Sequence, residues 1–202
     1  MYTLAINLIH GFFIERVNLN KNDSLKLKYM IELFISESSK ILIMFLIFYS
    51  FNNELAYIQS LITLVSLRLF TGGLHFEDYI CCFIFSLFFF SISIISSNIL
   101  GLTSSISLMI YVFAVVTVFT CSPAQSKKRP LLSRKKRNSS RIIGIIIVTV
   151  FFLIYFIYPK FYVIKYSIWV LFYQALQLII SKGVNYYENK KQTNTQSFKS
   201  HL

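Results

Sequence analysis

Apolar residues are gathered into long runs that short polar connections separate. A helix needs about 20 residues to cross a bilayer, and six runs approach or reach that length. We predict spanning helices over residues 29–51, 55–70, 79–100, 102–121, 142–158 and 161–181. Glu37 and Lys40 interrupt the first run, and they could either pair at their i,i+3 spacing or face the bundle interior. The pattern therefore predicts an all-α integral membrane protein with six transmembrane helices.

The two ends of the chain differ from this pattern. Near the N-terminus the apolar residues recur at helical spacing, and no basic segment precedes them as in a signal peptide: Leu4, Ala5, Leu8, Ile9, Phe12 and Phe13. We expect an amphipathic helix that lies on the membrane surface. The residues from Asn185 onward are polar. We therefore predict a single membrane domain over residues 1–184 and a flexible polar tail over residues 185–202.

Composition supports a membrane protein and argues against a soluble one. Apolar residues make up 55% of the chain and charged residues 14%, which is well below the roughly 25% of soluble domains. The three cysteines include an adjacent pair and lie in or near apolar runs, so we interpret them as reduced thiols rather than a disulfide framework.

The net charge of +12 is concentrated in the polar connections. Eight of the 20 Lys and Arg residues lie between Lys127 and Arg141, and others precede the first span or follow the sixth. With six spans and both termini in the cytoplasm, every basic cluster falls on the inner side. Topology and attraction to anionic lipid explain this cluster without a further partner. We expect no nucleic-acid partner, because no fold-sized soluble portion surrounds it.

The connection between the second and third spans carries the candidate chemistry, in "RLFTGGLHFEDYICC". On one straight helix His75 and Cys82 would share a face, but about 10.5 Å of rise would separate them, too far for a hydrogen bond. Gly72 and Gly73 allow a sharp turn, and Asp78 is a good N-cap for a helix that begins at Tyr79. His75 could then fold back over the first turn, where Cys82 lies and the helix dipole favours a thiolate. The arrangement is typical of a Cys–His nucleophilic pair.

Other interpretations of these residues stay open. Cys81 is a rival nucleophile, although its spacing from His75 argues against it. A metal site would mix the hard and soft donors of His75, Glu77, Asp78 and Cys82 without a zinc spacing, and we predict neither a metal nor a cofactor. The polar groups could also be purely structural. No third catalytic residue is evident, although Glu77 or Asp78 could orient the imidazole.

The motif resembles that of the accessory gene regulator B (AgrB) family, membrane cysteine endopeptidases of bacterial peptide quorum sensing. The family pattern is met by Arg68, by Gly72-Gly73-Leu74-His75 and by Cys82. A second family motif is matched after the fourth span, in "SPAQSKKRPL": Pro123, Ala124, Lys127, Lys128, Arg129 and Pro130. The resemblance covers most of the chain, including the number of spans and the order of the two motifs.

The resemblance implies an enzyme that cuts a short precursor peptide near its C-terminal side and cyclises the rest as a thiolactone or lactone. It implies that Cys82 is the nucleophile and His75 the general base and acid, with Arg68 orienting the substrate or the pair and Gly73 keeping the turn tight. A homodimer in the bacterial cell membrane, with a cytoplasmic active site, is also implied.

The basic cluster would attract the acidic C-terminal segment of such a precursor. The residues that would bind it are Lys127, Lys128, Arg129, Arg134, Lys135, Lys136 and Arg137. Membrane lipid would be a second partner. The alternative function is a non-catalytic membrane transporter or peptide-export component, in which the polar connection gates a path.

Overall fold

The computed structural model describes residues 20–74, 78–124, 133–158 and 162–199, without the side chains of 21, 22, 33, 185, 186 and 188–199. These residues form six helices and no strand. We number them α1 to α6 in chain order: Lys21–Ser50, Glu54–Thr71, Tyr79–Ile99, Ser104–Cys121, Arg134–Ile157 and Ile164–Lys199. The all-α prediction is confirmed. The predicted N-terminal surface helix lies outside the described residues.

Four helices are long and apolar enough to cross a membrane: α3, α4, α5 and the Ile164–Val184 part of α6. This composition is compatible with a multi-pass membrane protein. The remaining helices of the described residues, α1 and α2, do not meet this combination of length and apolarity, and the predicted count of six spans stays a prediction. The apolar helices expose large hydrophobic side chains on their outer surface, such as Phe88, Met109 and Ile146. Lipid would cover such a surface.

Local sequence signals set several helix ends. The Asp78 carboxylate accepts a hydrogen bond from the Cys81 N–H at 3.2 Å, so Asp78 is the N-cap of α3, as predicted. Thr103 and Ser133 cap α4 and α5 in the same way. Three helices extend well beyond the predicted spans: α1 begins at Lys21, eight residues before Tyr29, α5 begins at Arg134, eight residues before Ile142, and α6 continues to Lys199 rather than ending at Ser181. Part of the basic connection is therefore helical.

Residues 1–52 and 53–202 form two compact units. In the first, the described residues form α1, which is stabilised by two ion pairs at i,i+3 spacing. Lys40 Nζ lies 2.6 Å from Glu37 Oε1, so of the two alternatives for these residues the pair is confirmed. The Lys40 side chain is only 5% exposed, and a buried ammonium needs such a partner.

The second unit is a bundle in which α6 packs against α2, α3, α4 and α5. Its apolar core contains Leu67 of α2, Val118 of α4, Val148 of α5 and, from α6, Ile168, Leu171 and Leu178, together with neighbouring residues of the same helices. Because α6 is surrounded on all sides, its first half is buried almost throughout. That burial explains why polar side chains of α6 meet partners inside the bundle.

Contacts along the helices show their directions. Gln59 and Gly72 of α2 contact Ser167 and Gln174 of α6, so these two helices run parallel. The same holds for α4 and α6, where the Phe113 ring lies 5.7 Å from the Phe172 ring and Thr120 accepts from Lys182. By contrast, α3 is antiparallel to α6: Asn98 contacts Tyr166, and Phe89 contacts Tyr173.

The fifth helix is antiparallel to α4, because Arg141 contacts Ser122 at one end and Tyr155 contacts Leu102 at the other. The ends of α2 and α4, the beginnings of α3 and α5, and residues 174–182 of α6 therefore lie at one end of the bundle. We call this the motif end. It contains the described parts of both sequence motifs.

Candidate functional site

The glycine turn begins where α2 ends, at Thr71. Gly72 has φ +74°, a left-handed conformation that favours glycine, and its N–H donates to the Arg68 carbonyl at 3.0 Å. A Cβ atom at this position would lie 2.5 Å from the Ala124 carbonyl oxygen. Both the backbone conformation and the close approach therefore require glycine. The turn that the sequence predicts at Gly72 is confirmed.

Arg68 lies in the last turn of α2 and holds the connection that follows it. Its guanidinium donates to the Leu74 carbonyl oxygen. Gly73 passes close to this side chain, since a Cβ there would lie 3.1 Å from Arg68 Nε. The arginine therefore fixes the backbone immediately before His75, which fits the orienting role that the resemblance implies.

His75 and Glu77 lie outside the described residues, and their distances to other groups are not described. The chain is described up to Leu74 and again from Asp78. Contact between the His75 imidazole and the Cys82 thiol therefore stays a prediction, as does any orienting role of Glu77.

Cys82 is the fourth residue of α3 and is buried, with 8% of its surface exposed. Its N–H donates to the Asp78 carbonyl at 3.1 Å, so it lies in the first turn, where the helix dipole stabilises a negative charge. Cys81 is exposed. Of the two adjacent thiols, Cys82 is therefore the one directed into the bundle, and the burial agrees with its choice as the nucleophile.

The second motif docks against the first through the backbone. The Ala124 N–H donates to the Thr71 carbonyl at 2.8 Å, and Arg141 Nε of α5 donates to the Ser122 carbonyl at 2.6 Å. The Ser122–Pro123 peptide bond is cis. These contacts bring together two motifs that lie more than 40 residues apart in the sequence. The segment after Ala124 therefore starts directly beside the glycine turn.

The basic cluster is only partly described. Lys127, Lys128 and Arg129 lie outside the described residues. The other four predicted binding residues occupy the first turn of α5 and are exposed: Arg134, Lys135, Lys136 and Arg137. That turn contains no acidic residue, and cations are unfavourable at the positive end of a helix dipole. A negatively charged partner would relieve this repulsion.

Two glutamines of α6 belong to the motif end and were missed by the sequence analysis. Gln174 is fully buried, and its Nε2 donates to the Gly72 carbonyl at 2.9 Å. Gln177 is 3% exposed, and its Nε2 lies 3.5 Å from the position of a Cβ on Gly73. The available signal was two amides at i,i+3 spacing within an otherwise apolar run, since intramembrane polar residues face the bundle interior.

Among the described residues, no three His, Cys, Asp or Glu side chains group together as metal ligands. The donors that the motif end does offer are different. They are backbone amides, the Arg68 guanidinium, the two glutamine amides and one buried thiol. Such groups suit recognition of a peptide carbonyl and attack on it.

Comparison with known proteins adds to this geometry. The sequence model of the family described as accessory gene regulator B (AgrB) matches residues 6–178 of the chain. The chain is also similar to an AgrB-like protein of Clostridium beijerinckii, with 26% identity over 157 residues, or 77% of each chain. No solved structure matches it. The matched region contains both motifs and the two glutamines of α6.

Proposed function

The chain belongs to the accessory gene regulator B family, and on this premise we propose that it is a membrane cysteine endopeptidase and peptide cyclase. Family membership supports a role in the processing of quorum-sensing peptides. Our proposal goes further and assigns the reaction, the reacting groups and the kind of substrate. The substrate is a short precursor peptide with an acidic C-terminal segment.

The reaction proceeds in two acyl transfers. In the first, His75 takes the proton of Cys82, and the sulfur attacks the scissile carbonyl carbon. The C–N bond breaks, the imidazolium gives its proton to the departing amine, and the acidic C-terminal piece leaves. The N-terminal piece stays attached to Cys82 as a thioester.

In the second transfer, a Cys or Ser side chain within the bound peptide loses its proton to His75 and attacks the thioester carbon. A thiolactone or lactone bond forms, the bond to Cys82 breaks, and the proton returns to the Cys82 sulfur. Exchange of a thioester for a thiolactone is nearly balanced in energy, so water must be kept from the intermediate. A buried thiol is suited to this requirement.

The observation that carries the proposal is that both motifs meet at the end of the bundle where the buried thiol of Cys82 lies. Cys82 lies in the first turn of α3, and the backbone bond from Ala124 to Thr71 joins the second motif to the glycine turn. If the match to either motif were accidental, there would be no reason for the two motifs to lie at the same end of the bundle. The basic residues of α5 begin at the same end, where they would attract the acidic part of the precursor.

The homodimer rests on the resemblance alone. The His75–Cys82 contact rests also on the sequence pattern of the glycine turn, and the cytoplasmic position of the termini and the active site rests also on the distribution of basic residues. All of these stay predictions.

The test uses the full chain reconstituted in lipid nanodiscs. Its substrate is a synthetic precursor peptide with an amphipathic N-terminal part, an internal Cys or Ser and an acidic C-terminal segment. We expect the wild-type chain to release the C-terminal piece and to form a cyclic product, both identified by mass spectrometry. Cys82→Ala and His75→Ala should abolish cleavage, because each removes a reacting group. Cys81→Ala is the matched control and should retain cleavage.

A second arm tests the intermediate. A precursor whose internal Cys or Ser is replaced by Ala cannot cyclise, so a thioester should accumulate on the Cys82 peptide of the wild-type chain. Uptake of intact precursor into proteoliposomes without any cleavage would favour the transporter alternative and contradict the proposal. Cleavage that survives Cys82→Ala but not Cys81→Ala would reassign the nucleophile.

A further inference from the structure

The buried amide of Gln177 has no role in the mechanism described so far. Within residues 20–74, 78–124, 133–158 and 162–199, neither its Oε1 nor its Nε2 has a hydrogen-bond partner. An unpaired buried amide is costly in a protein core and more so at membrane depth. A site that retains such a group gains from it in some other state, most simply when a substrate supplies the partner.

The position of Gln177 relates it to the glycine turn. Both Gln177 Nε2 and Arg68 Nε approach Gly73, at 3.5 and 3.1 Å from the place where a Cβ would stand. Both atoms carry N–H groups. Gly73, by lacking a side chain, lets these two N–H groups approach the backbone of the segment that leads to His75.

The register of α3 against α6 places Gln177 near the level of Cys82. The rings of Phe89 and Tyr173 contact each other with centroids 6.4 Å apart, and the two helices are antiparallel. Cys82 precedes Phe89 by seven residues, or about 10.5 Å along α3, and Gln177 follows Tyr173 by four residues, or about 6 Å along α6. Because the helices are antiparallel, both steps lead toward the motif end. The difference in height is less than one helical turn.

The two residues also share the facing sides of their helices. Seven residues on a helix return to the same face within about 20°, and four residues to within about 40°. Cys82 therefore lies on the side of α3 that carries Phe89, and Gln177 on the side of α6 that carries Tyr173. The buried state of both side chains agrees with this placement.

We propose that Gln177 is a catalytic residue whose side-chain N–H stabilises the oxyanion formed when Cys82 attacks the scissile carbonyl. This inference rests on the proposed endopeptidase function. As the sulfur–carbon bond forms, the carbonyl electron pair moves onto oxygen, and the Gln177 amide donates a hydrogen bond to it. When the C–N bond breaks, the carbonyl double bond re-forms and the amide keeps its proton. Side-chain amides are established donors for such oxyanions.

Gln174 has a different role in this arrangement. Its Nε2 donates to the Gly72 carbonyl at 2.9 Å and to Thr71 Oγ1 at 3.5 Å, so both N–H groups are engaged in holding the turn in place. It is therefore a positioning residue. Gln174 and Gln177 lie on the same face of α6, but among the described residues only the Gln174 N–H groups have a hydrogen-bond partner. This difference distinguishes the positioning glutamine from the catalytic one.

The experiment replaces the buried Gln177 and the partly buried Gln59 separately by the near-isosteric Met in the reconstituted full chain. Gln177→Met should lower kcat for the precursor by about 100-fold with little change in KM, since one oxyanion donor is lost. Its Tm should be unchanged or higher, because the removed amide had no partner among the described residues. The pH–rate profile should keep its shape.

The matched control is Gln59→Met, at the opposite end of the bundle, where Gln59 Nε2 donates to Ser167 Oγ at 2.8 Å. It should lower Tm and leave kcat unchanged. Gln177→Leu is the second test variant; it also lacks a hydrogen-bond donor, and kcat should fall about as far as in Gln177→Met.

Three results would overturn the inference. Full kcat in either Gln177 variant would show that the amide stabilises no transition state. A lower Tm with an equal loss of activity would assign it a structural role, and a shifted pH–rate profile would assign it to the orientation of His75. If the wild-type chain itself cleaves nothing, the proposed function fails together with this inference, whereas loss of only the Gln177 effect leaves that function intact.

Discussion

At the scale of single residues, the motif end depends on close backbone approach. Gly72 combines a left-handed φ with a position directly against Ala124, and the neighbouring bond from Ala124 to Thr71 holds the two segments together. Gly101 also has a left-handed φ, of +63°, but no atom lies within 4 Å of its added Cβ. The two glycines therefore share a positive φ but differ in the contacts that an added Cβ would make.

We predict that Gly72→Ala lowers stability more than Gly101→Ala does. The positive φ should cost the Gly101 variant about 1 kcal/mol, and the Gly72 variant about 1–3 kcal/mol because its ψ of −156° is nearly restricted to glycine. The methyl at position 72 should add about 2 kcal/mol or more, because backbone rather than a flexible side chain must move. The difference corresponds to a Tm at least about 4 °C lower for Gly72→Ala in a chain of this size. Thermal unfolding in the same detergent measures both variants.

Activity gives the second measurement for this pair. Gly72→Ala should also lower precursor cleavage below the fraction of folded protein, since it displaces the segment before His75, whereas Gly101→Ala should not. Equal Tm values for the two variants would show that the approach of Ala124 to Gly72 is not a tight one.

At the scale of helices, α5 closes the motif end by packing on α2 and α4. Gly144 is the contact residue: a Cβ there would lie 2.9 Å from Thr71 Cγ2 and 3.0 Å from Val118 Cγ1. Small residues allow helices to approach closely in membrane proteins. The same helix carries Arg141, which holds the Ser122 carbonyl. The position of α5 therefore bears on both motifs.

We predict that Gly144→Leu lowers stability by about 2–3 kcal/mol, because the added side chain overpacks a closed contact between branched residues. It should also reduce cleavage, since Thr71 lies at the glycine turn. Gly183→Leu in α6 is the matched control, as no atom lies within 4 Å of its added Cβ. That variant should keep its free energy of unfolding within about 0.5 kcal/mol of the wild type, as surface changes do. Thermal unfolding and cleavage rates test both, and a stable, active Gly144→Leu would contradict the packing.

Polar contacts between helices explain why apolarity alone identifies four candidate spans among the described residues but does not identify α2. Gln59 and Thr63 of α2 both contact Ser167 of α6, and Arg68 contacts the Leu74 carbonyl. Each lowers the apolarity of α2, yet each finds a partner within the second unit. Composition measures what a helix contains, whereas burial depends on where its polar groups point.

At the scale of the whole molecule, charge is distributed unevenly along the chain. The exposed first turn of α5 places four cations at the motif end, where the proposed function requires an acidic peptide segment to bind. Long-range attraction between exposed charges raises encounter rates and is screened by salt. It does not contribute to the chemical step.

We predict that replacing Arg134, Lys135, Lys136 and Arg137 together by Gln raises KM for the precursor by about tenfold at low salt, given the modest strength of exposed ion pairs. The value of kcat should not change. At high salt the difference between the variant and the wild type should disappear. Steady-state kinetics at two salt concentrations give the measurement.

The control for this prediction changes the substrate. A precursor whose acidic C-terminal residues are replaced by their amides should bind the wild type and the variant equally. If the variant still binds that neutral precursor tenfold less well, the basic residues act through protein structure rather than through charge.

Features that depend on neighbouring residues could be predicted from the sequence. The Asp78 cap, the Glu37–Lys40 pair, the turn at Gly72 and the all-α class follow from helix geometry and from contacts over one to four residues. The family resemblance rested on motifs of the same local kind, and the match over residues 6–178 agrees with it. Such signals are short in range, so they survive without knowledge of the fold.

Tertiary structure alone decided which distant groups meet. The bond from Ala124 to Thr71, the approach of Gly144 to Val118, and the burial of Gln177 beside Gly73 depend on helix register and packing. Two amides in an apolar run do not reveal which of them will find a hydrogen-bond partner. That outcome is set by side chains from other helices, whose positions are fixed only when the bundle closes.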